Sequence, residues 1–124
     1  MIKKEAEILG NDMTKIFLGG FSQGSFVSLY TSHVLKEKIG GVIIIGAFMS
    51  KVVEKLPEKE ELPPTLVIHG LEDNMTKWEN AERDLKTFLE NPRVRTILIK
   101  DMKHDVYHLE AKLAIRAFLT ERTK

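Results

Sequence analysis

One serine stands in a setting that can turn its hydroxyl into a nucleophile. Residues 20–24 read Gly-Phe-Ser-Gln-Gly, which places Ser22 at the centre of a G-x-S-x-G motif. A short apolar run at 16–18 precedes the motif and is typical of a buried strand. A helical pattern of apolar residues begins after the motif, at Ser25. The order of strand, sharp turn and helix is the context in which this motif carries a catalytic serine.

The predicted turn gives each residue around the serine a role. The turn strains the Ser22 backbone and lifts its hydroxyl above the edge of the sheet. The backbone N–H of Gln23, at the N-terminus of the helix, can then point at a developing oxyanion. We expect Gly20 and Gly24 to let the strand and the helix approach each other without Cβ clashes.

A serine nucleophile needs a histidine that takes its proton, and the histidine needs a carboxylate that fixes its tautomer. Asp73 follows the predicted third strand, and we predict that it is this carboxylate. Glu72 and Asp105 remain alternatives, because they lie close to the same predicted loops. The pair Asp73-Asn74 also fits a turn and helix-capping signal before Trp78.

Four histidines compete for the role of the base. His104 is the histidine that lies in the loop after the last predicted strand, and we predict that it is the base. His33 lies in the middle of a predicted helix, and His108 lies inside the last one. His69 ends a strand, and we expect it to shape the rim of the site.

Apolar strands alternate with helical segments along the chain. The predicted strands span 16–21, 42–47, 65–69 and 94–100, and the predicted helices span 2–9, 25–36, 78–89 and 106–121, with a charged surface loop at 50–62. This alternation predicts an α/β fold with about four parallel strands and helices on both faces. The carboxyl ends of parallel strands meet at one rim, where Ser22, Asp73 and His104 can converge.

The apolar spacing also predicts which helix faces meet the sheet. The inward residues are Phe26, Val27, Leu29, Tyr30 and Val34 in the second helix, Trp78, Ala81, Leu85 and Phe88 in the third, and Leu109, Leu113, Ala114, Ala117 and Phe118 in the last. Right-handed crossovers place the second and third helices on one face of the sheet and leave the last helix for the other.

The composition bounds the function classes. With 124 residues, 43% hydrophobic and 30% charged, the chain is typical of one globular domain, 1–124. Its net charge of +1 gives no indication of nucleic acid or an anionic membrane as partner. The absence of cysteine excludes disulfides and a thiolate nucleophile, and no ligand spacing indicates a metal. We find no signal peptide or transmembrane segment, and we expect a cytoplasmic protein.

These motifs together resemble the acyl-protein thioesterase and carboxylesterase family of α/β-hydrolases. Residues 19–24 with 28–30 look like its nucleophile region, 69–73 like its acid loop, and 102–104 like its histidine loop. The order of serine, acid and histidine is also that of α/β-hydrolases. The resemblance implies a serine hydrolase that cleaves carboxylic esters or thioesters, such as acyl-cysteine on proteins or a lysophospholipid, without a cofactor.

The resemblance implies roles for the individual residues. Ser22, Asp73 and His104 are then catalytic, and Gln23, Gly24 and His69 serve oxyanion or substrate binding. The sequence departs from the family pattern in three places: Ser25 replaces a usual glycine, 74–76 read Asn-Met-Thr instead of an apolar residue and proline, and Asp101 replaces a common glycine. These departures concern the substrate pocket more than the triad.

The chain resembles only the C-terminal half of such a hydrolase, whose domain spans roughly 200 residues or more. The front half of the sheet and the loop that donates a second oxyanion N–H have no counterpart in it. The strand before Ser22 would then be an edge, which invites pairing. We therefore expect a homodimer or a partner chain to cover this edge. The alternative is a catalytically impaired, hydrolase-derived subunit or scaffold module in a larger assembly.

Overall fold

The computed structural model describes residues 4, 7, 10, 12–35, 38–47 and 62–122. A short 3-10 helix at Met13–Lys15 leads into the sheet. The strands are β1 (Phe17–Phe21), β2 (Gly41–Ile45), β3 (Thr65–Gly70) and β4 (Val94–Ile99). The helices are α1 (Gln23–Val34), α2 (Trp78–Asp84), α3 (Lys86–Leu89) and α4 (Leu109–Arg122).

The four strands form one parallel sheet in the order β1-β2-β3-β4. β2 and β3 are buried at every residue, because their apolar side chains are covered on both faces. β1 is only partly buried, and within the described residues it pairs with β2 on one side alone. The predicted α/β fold with four parallel strands is confirmed.

Helices cover both faces of the sheet, as predicted. Leu29 of α1 and Ala81 of α2 belong to one apolar cluster, and Ala111 and Phe118 of α4 belong to the other. Alternate residues of the strands point into the two clusters. The strand residues are Val42, Ile44 and Val67 in the first cluster and Ile43, Ile45, Leu66, Ile68 and Ile99 in the second.

The face of α1 that meets the sheet differs from the predicted one. Leu29 is buried as expected, but its buried neighbours are the small residues Ser25, Ser28 and Ser32. Small side chains let the helix lie close to the sheet, which apolar spacing alone does not reveal. Phe26 is half-buried. The other three predicted residues form an exposed row that we call the α1 stripe, with the exposed fractions Val27 59%, Tyr30 43% and Val34 50%.

The last helix begins later than predicted, and its inward face is only partly the predicted one: Phe118 is buried and Ala114 packs against the same apolar cluster, as expected. α4 starts at Leu109 rather than at 106, because the His108 ring precedes it and accepts the Glu110 N–H at 3.1 Å. Ala111 and Phe118 are buried. The predicted inward residues Leu109, Leu113 and Ala117 are instead exposed.

The third predicted helix is divided in two. Leu85 leaves helical geometry, with φ −109° and ψ 15°, so the segment becomes α2 and α3. Its predicted apolar stripe nevertheless packs on the sheet, with Trp78 at the border and Ala81, Leu85 and Phe88 buried. The predicted helix 2–9, apart from Lys4 and Glu7, and the predicted loop 50–62, apart from Leu62, lie outside the described residues.

Candidate active site

Ser22 occupies a strained turn between β1 and α1. Its φ of 57° is the one positive value of a non-glycine residue in the described part of the chain. Such a backbone conformation costs energy, and it persists where the surrounding structure holds it. Here the Ser22 N–H donates to the Ile45 carbonyl at the end of β2, at 3.0 Å. The Ser22 side chain does not cap α1, so its hydroxyl is left available.

The two glycines around the serine are not equivalent. A Cβ on Gly20 would lie 2.1 Å from the Gly24 carbonyl oxygen, which no side chain tolerates. A Cβ on Gly24 would meet nothing within 4 Å, so the expected steric need for glycine holds at Gly20 and not at Gly24. Ser25 strengthens the turn, because its N–H and its hydroxyl both donate to the Ser22 carbonyl.

The structure brings Asp73 and His104 together from two different loops. His104 Nδ1–H donates to Asp73 Oδ2 at 2.7 Å. Asp73 is buried, with only 3% of the residue's surface exposed. Its other hydrogen bonds come from the next turn: Oδ1 accepts the N–H groups of Met75 (3.0 Å) and Thr76 (2.8 Å), and Oδ2 accepts the Thr76 hydroxyl (2.9 Å).

Two opposing effects set the pKa of Asp73. Burial raises it, because a charged carboxylate loses its hydration. Hydrogen bonds from the Thr76 N–H, from His104 and from the Thr76 hydroxyl act in the opposite direction and prevail, so the pKa lies below its ordinary value. Asp73 is therefore a carboxylate at neutral pH, and it fixes the imidazole with the proton on Nδ1. This tautomer leaves Nε2 of His104 free to accept a proton.

Ser22 and His104 lie on the same rim of the sheet. The ring of Phe21, the residue before the serine, packs on the His104 ring with centroids 4.5 Å apart. A Cβ on Gly46, which follows the carbonyl that holds Ser22, would lie 3.2 Å from the same ring. Among the described residues the Ser22 hydroxyl makes no hydrogen bond to His104.

The alternative acids and bases have other partners or positions. Glu72 is exposed, and Asp105 is exposed and accepts the Tyr107 N–H. His33 bonds the Leu29 carbonyl within α1. His108, which precedes α4 rather than lying inside it, bonds Asp101 at 3.0 Å. Of the carboxylate and histidine candidates, Asp73 and His104 are the two that the structure places against each other at the rim.

Comparison with known proteins identifies the family of the chain. The profile of the phospholipase/carboxylesterase family matches residues 1–120. The chain belongs to this family. It is similar to acyl-protein thioesterase 1 of Neurospora crassa (30% identity, 98% of this chain, 51% of that protein) and of Aspergillus fumigatus (32%, 73% and 39%).

Solved structures share the fold. Esterase PE8 superimposes with a TM-score of 0.75 at 24% identity over 97% of this chain and 56% of that one. SOBER1 of Arabidopsis thaliana gives a TM-score of 0.71 at 20% identity over 99% of this chain and 63% of that one. The chain thus matches about 39–51% of the length of the two thioesterases above.

Three residues of the site, Thr76, Phe21 and Gly46, were not predicted from the sequence. Thr76 hydrogen-bonds Asp73 through both its N–H and its hydroxyl, and its position three residues after an aspartate is the signal that could have found it. Phe21 supports the His104 ring, and Gly46 leaves room for that ring. Because these two contacts join segments that are far apart in the chain, no local sequence pattern indicates them.

His69 lies beneath the rim rather than on it. Its side chain is fully buried, so we assign it no direct contact with a substrate. No group of three or more His, Asp or Glu within the described ranges can hold a metal ion. No helix in those ranges is long and apolar enough to cross a membrane.

Proposed function

We propose that the chain carries the nucleophile, base and acid of a serine hydrolase that cleaves carboxylic esters or thioesters. The observation that carries the proposal is the partly buried 2.7 Å hydrogen bond between His104 Nδ1 and Asp73 Oδ2. It lies on the rim where Ser22 sits at a positive φ. Membership of the phospholipase/carboxylesterase family supports the same chemistry.

The proposed reaction begins with proton transfer. Nε2 of His104 takes the hydroxyl proton of Ser22, whose Oγ attacks the carbonyl carbon of the substrate. Asp73 stabilises the imidazolium that forms, because its carboxylate stays charged at neutral pH. The Phe21 ring keeps the imidazole in place by packing on it.

The negative charge then collects on the former carbonyl oxygen. The Gln23 N–H, with Gly24 in the same first turn of α1, is the donor that we assign to this oxyanion. We propose that a second donor comes from a loop in the part of the fold that this chain does not match, since it matches 39% and 51% of the two thioesterase relatives. Loss of one such donor typically lowers kcat by about 10²–10³.

Collapse of the tetrahedral intermediate releases the alcohol or thiol, which takes the proton from His104. An acyl-Ser22 ester remains, and a water molecule activated by His104 hydrolyses it. Each cycle therefore converts an acyl ester or thioester and water into a carboxylic acid and an alcohol or thiol. The relatives named acyl-protein thioesterase favour acyl-cysteine on proteins as one substrate.

Hydrolysis of p-nitrophenyl acetate and of an acyl thioester tests this proposal. We expect turnover by the 124-residue chain that disappears in Ser22→Ala. The matched control is Ser28→Ala, which removes a buried serine from the body of the same helix, away from the turn. Equal turnover by the wild-type chain and Ser22→Ala would contradict the proposal.

A second candidate is a catalytically impaired subunit or scaffold module. The observation that favours it is the length match, since the chain spans 39% to 51% of the two thioesterase relatives. Addition in trans of the part of a thioesterase relative that this chain does not match separates the two candidates. A hydrolase gains turnover that depends on Ser22, whereas a scaffold binds a partner and gains none.

We also propose that a partner covers the β1 edge, either a second copy or another chain. Within the described residues β1 has a strand neighbour on one side only, and the α1 stripe is exposed beside it. An apolar strand edge next to an apolar helix face invites association. A cytoplasmic location stays a prediction, which a fluorescent fusion in the source cell would test.

A further inference from the structure

His69 is a fully buried histidine that the proposed reaction does not use. It lies at the end of β3 with none of its surface exposed, and its ring packs on Trp78 with centroids 5.3 Å apart. A buried polar side chain destabilises a fold unless it is hydrogen-bonded. One of its nitrogens, Nδ1, has no hydrogen-bond partner in the described part of the chain. The hydrogen bond of the other ring nitrogen is therefore the interaction that can offset the cost of burying this histidine.

The other nitrogen of His69, Nε2, hydrogen-bonds the backbone carbonyl of Thr76. A carbonyl oxygen only accepts, so this bond assigns the ring proton to Nε2. Asp73 Oδ2 lies 3.9 Å from Nε2, which is too far for a hydrogen bond. His69 therefore acts on the backbone of the acid loop and not on the carboxylate itself.

Thr76 is the link between His69 and the acid. Its carbonyl accepts from His69, while its N–H and hydroxyl donate to Asp73 at 2.8 and 2.9 Å. Its hydroxyl oxygen also lies 3.2 Å from His104 Nδ1. A displacement of the Thr76 backbone would therefore move or break three contacts at the Asp73–His104 pair.

The neighbouring glycine fixes the opposite end of the same loop. A Cβ on Gly70 would lie 2.1 Å from the Met102 carbonyl oxygen, so only glycine lets the two backbones meet. The loop then donates from Leu71 N–H to Ile99 O (2.9 Å) and from Glu72 N–H to Met102 O (3.0 Å). Gly70 joins the start of the acid loop to the histidine loop, and His69 holds its far end.

We propose that His69 is a positioning residue, which acts through the Thr76 carbonyl to hold Asp73 against His104. Its effect on catalysis rests on the proposed hydrolase function, because only then does the Asp73–His104 pair serve a reaction. The hydrogen-bond chain itself does not depend on activity. It can be measured in the full chain whether or not that chain turns over a substrate.

The test follows the Nδ1–H proton of His104 by ¹H–¹⁵N NMR of the full chain at about pH 7, because its hydrogen bond to the buried Asp73 slows its exchange with water. Asp73→Asn sets the scale, because it removes the charged acceptor of that proton. His69→Gln and His69→Met form a matched pair of unbranched side chains, with and without an N–H donor. His33→Met is the control, since His33 also bonds a backbone carbonyl, Leu29 O at 2.8 Å, but in α1.

We expect the His104 Nδ1–H proton to exchange at least about tenfold faster in His69→Met than in wild type, as in Asp73→Asn, because the hydrogen bond to Asp73 is weakened. His69→Gln and His33→Met should keep the wild-type signal and exchange rate. An unchanged exchange rate in His69→Met, or an equal increase in His69→Met and His69→Gln, would overturn the proposal. Should His69→Met not fold, His69→Asn replaces it, because its shorter amide cannot reach the Thr76 carbonyl.

The same variants separate this proposal from the proposed function. If the exchange of the His104 Nδ1–H proton changes as expected but Ser22 has no reactivity, the hydrolase function fails and the positioning role stands. If Ser22 is reactive but that exchange does not depend on His69, the positioning role fails alone.

Discussion

At the residue scale, the site depends on which nitrogen of His104 carries the proton. The 2.7 Å bond to Asp73 places it on Nδ1, and Nε2 is left as the nitrogen with a lone pair that can accept a proton. Asp73 can do this because Met75 and Thr76 satisfy its remaining lone pairs inside the protein. A buried carboxylate without such donors would lose part of its charge to protonation.

The role of the base predicts a large loss of activity in one histidine variant. His104→Ala removes the group that accepts the Ser22 proton, so kcat/KM for an ester should fall about 10²–10⁴-fold. The circular dichroism spectrum should not change, because the ring lies at the rim and not in either apolar cluster. His108→Ala is the control and should keep full activity. The reverse outcome would mean that the base is His108.

The lowered pKa of Asp73 predicts how stability depends on pH. The unfolded chain titrates this carboxyl near 3.9, and the folded chain titrates it lower. The contribution of Asp73 to the free energy of unfolding is therefore complete above about pH 5 and is lost as the pH falls through the folded pKa. Urea unfolding between about pH 5 and pH 2 should show a steeper loss for wild type than for Asp73→Asn. Parallel curves for the two proteins would contradict the pKa direction.

At the element scale, the strand-to-helix turn is the feature that positions the nucleophile. β1 ends at Phe21 and α1 begins at Gln23, so Ser22 is the single residue that connects the strand to the helix. The bond from Ser22 N–H to the Ile45 carbonyl continues the β1–β2 ladder into the turn. The turn is thus held by the sheet on one side and by Ser25 on the other.

The different surroundings of the two motif glycines predict opposite effects of alanine. Gly20→Ala forces a Cβ to within 2.1 Å of the Gly24 carbonyl oxygen and should destabilise the fold by about 2 kcal/mol or more. Gly24→Ala meets open space inside a helix and should stabilise it by up to about 1 kcal/mol. Denaturant melts of both variants measure this. A stable Gly20→Ala protein would show that β1 and α1 do not pack this closely.

Sequence patterns were sufficient where local chemistry decides the structure. The apolar runs predicted four strands because buried parallel strands have few polar residues, and the Gly-Phe-Ser-Gln-Gly motif predicted the turn. Patterns were not sufficient for the helix faces. Val27 and Leu113 are apolar yet exposed, because which side of a helix meets the sheet depends on distant packing. The sequence likewise could not decide whether Glu72 or Asp73 is the acid, because that depends on which of the two side chains reaches His104 in the folded chain.

At the scale of the whole molecule, the sheet has an edge beside an apolar helix face. The described part of β1 pairs with β2 alone, while the α1 stripe leaves about half of its side-chain surface exposed. In the family to which the chain belongs, it matches 39–51% of the length of two relatives. Within the described residues the sheet is therefore open on the side of β1, the strand that precedes Ser22.

This open side predicts association. The chain should form dimers or bind a partner through β1 and the α1 stripe, because burial of this apolar surface is favourable. Val27→Lys should weaken the association at least about tenfold by placing a charge in the contact. Leu113→Lys, an exposed apolar residue of α4 on the other face, is the matched control and should have no effect. Sedimentation velocity measures both, and a wild-type monomer at high micromolar concentration would contradict the prediction.

The reactivity of Ser22 toward a fluorophosphonate probe tests the central claim most directly. The probe reacts with a serine only when a base activates it, and peptide mass spectrometry locates the adduct. We predict labelling at Ser22 in the wild-type chain, none in Ser22→Ala, and a rate at least about 10²-fold lower in His104→Ala. No labelling of Ser22 in the wild-type chain, or labelling that is equally fast in His104→Ala, would contradict a nucleophile activated by His104.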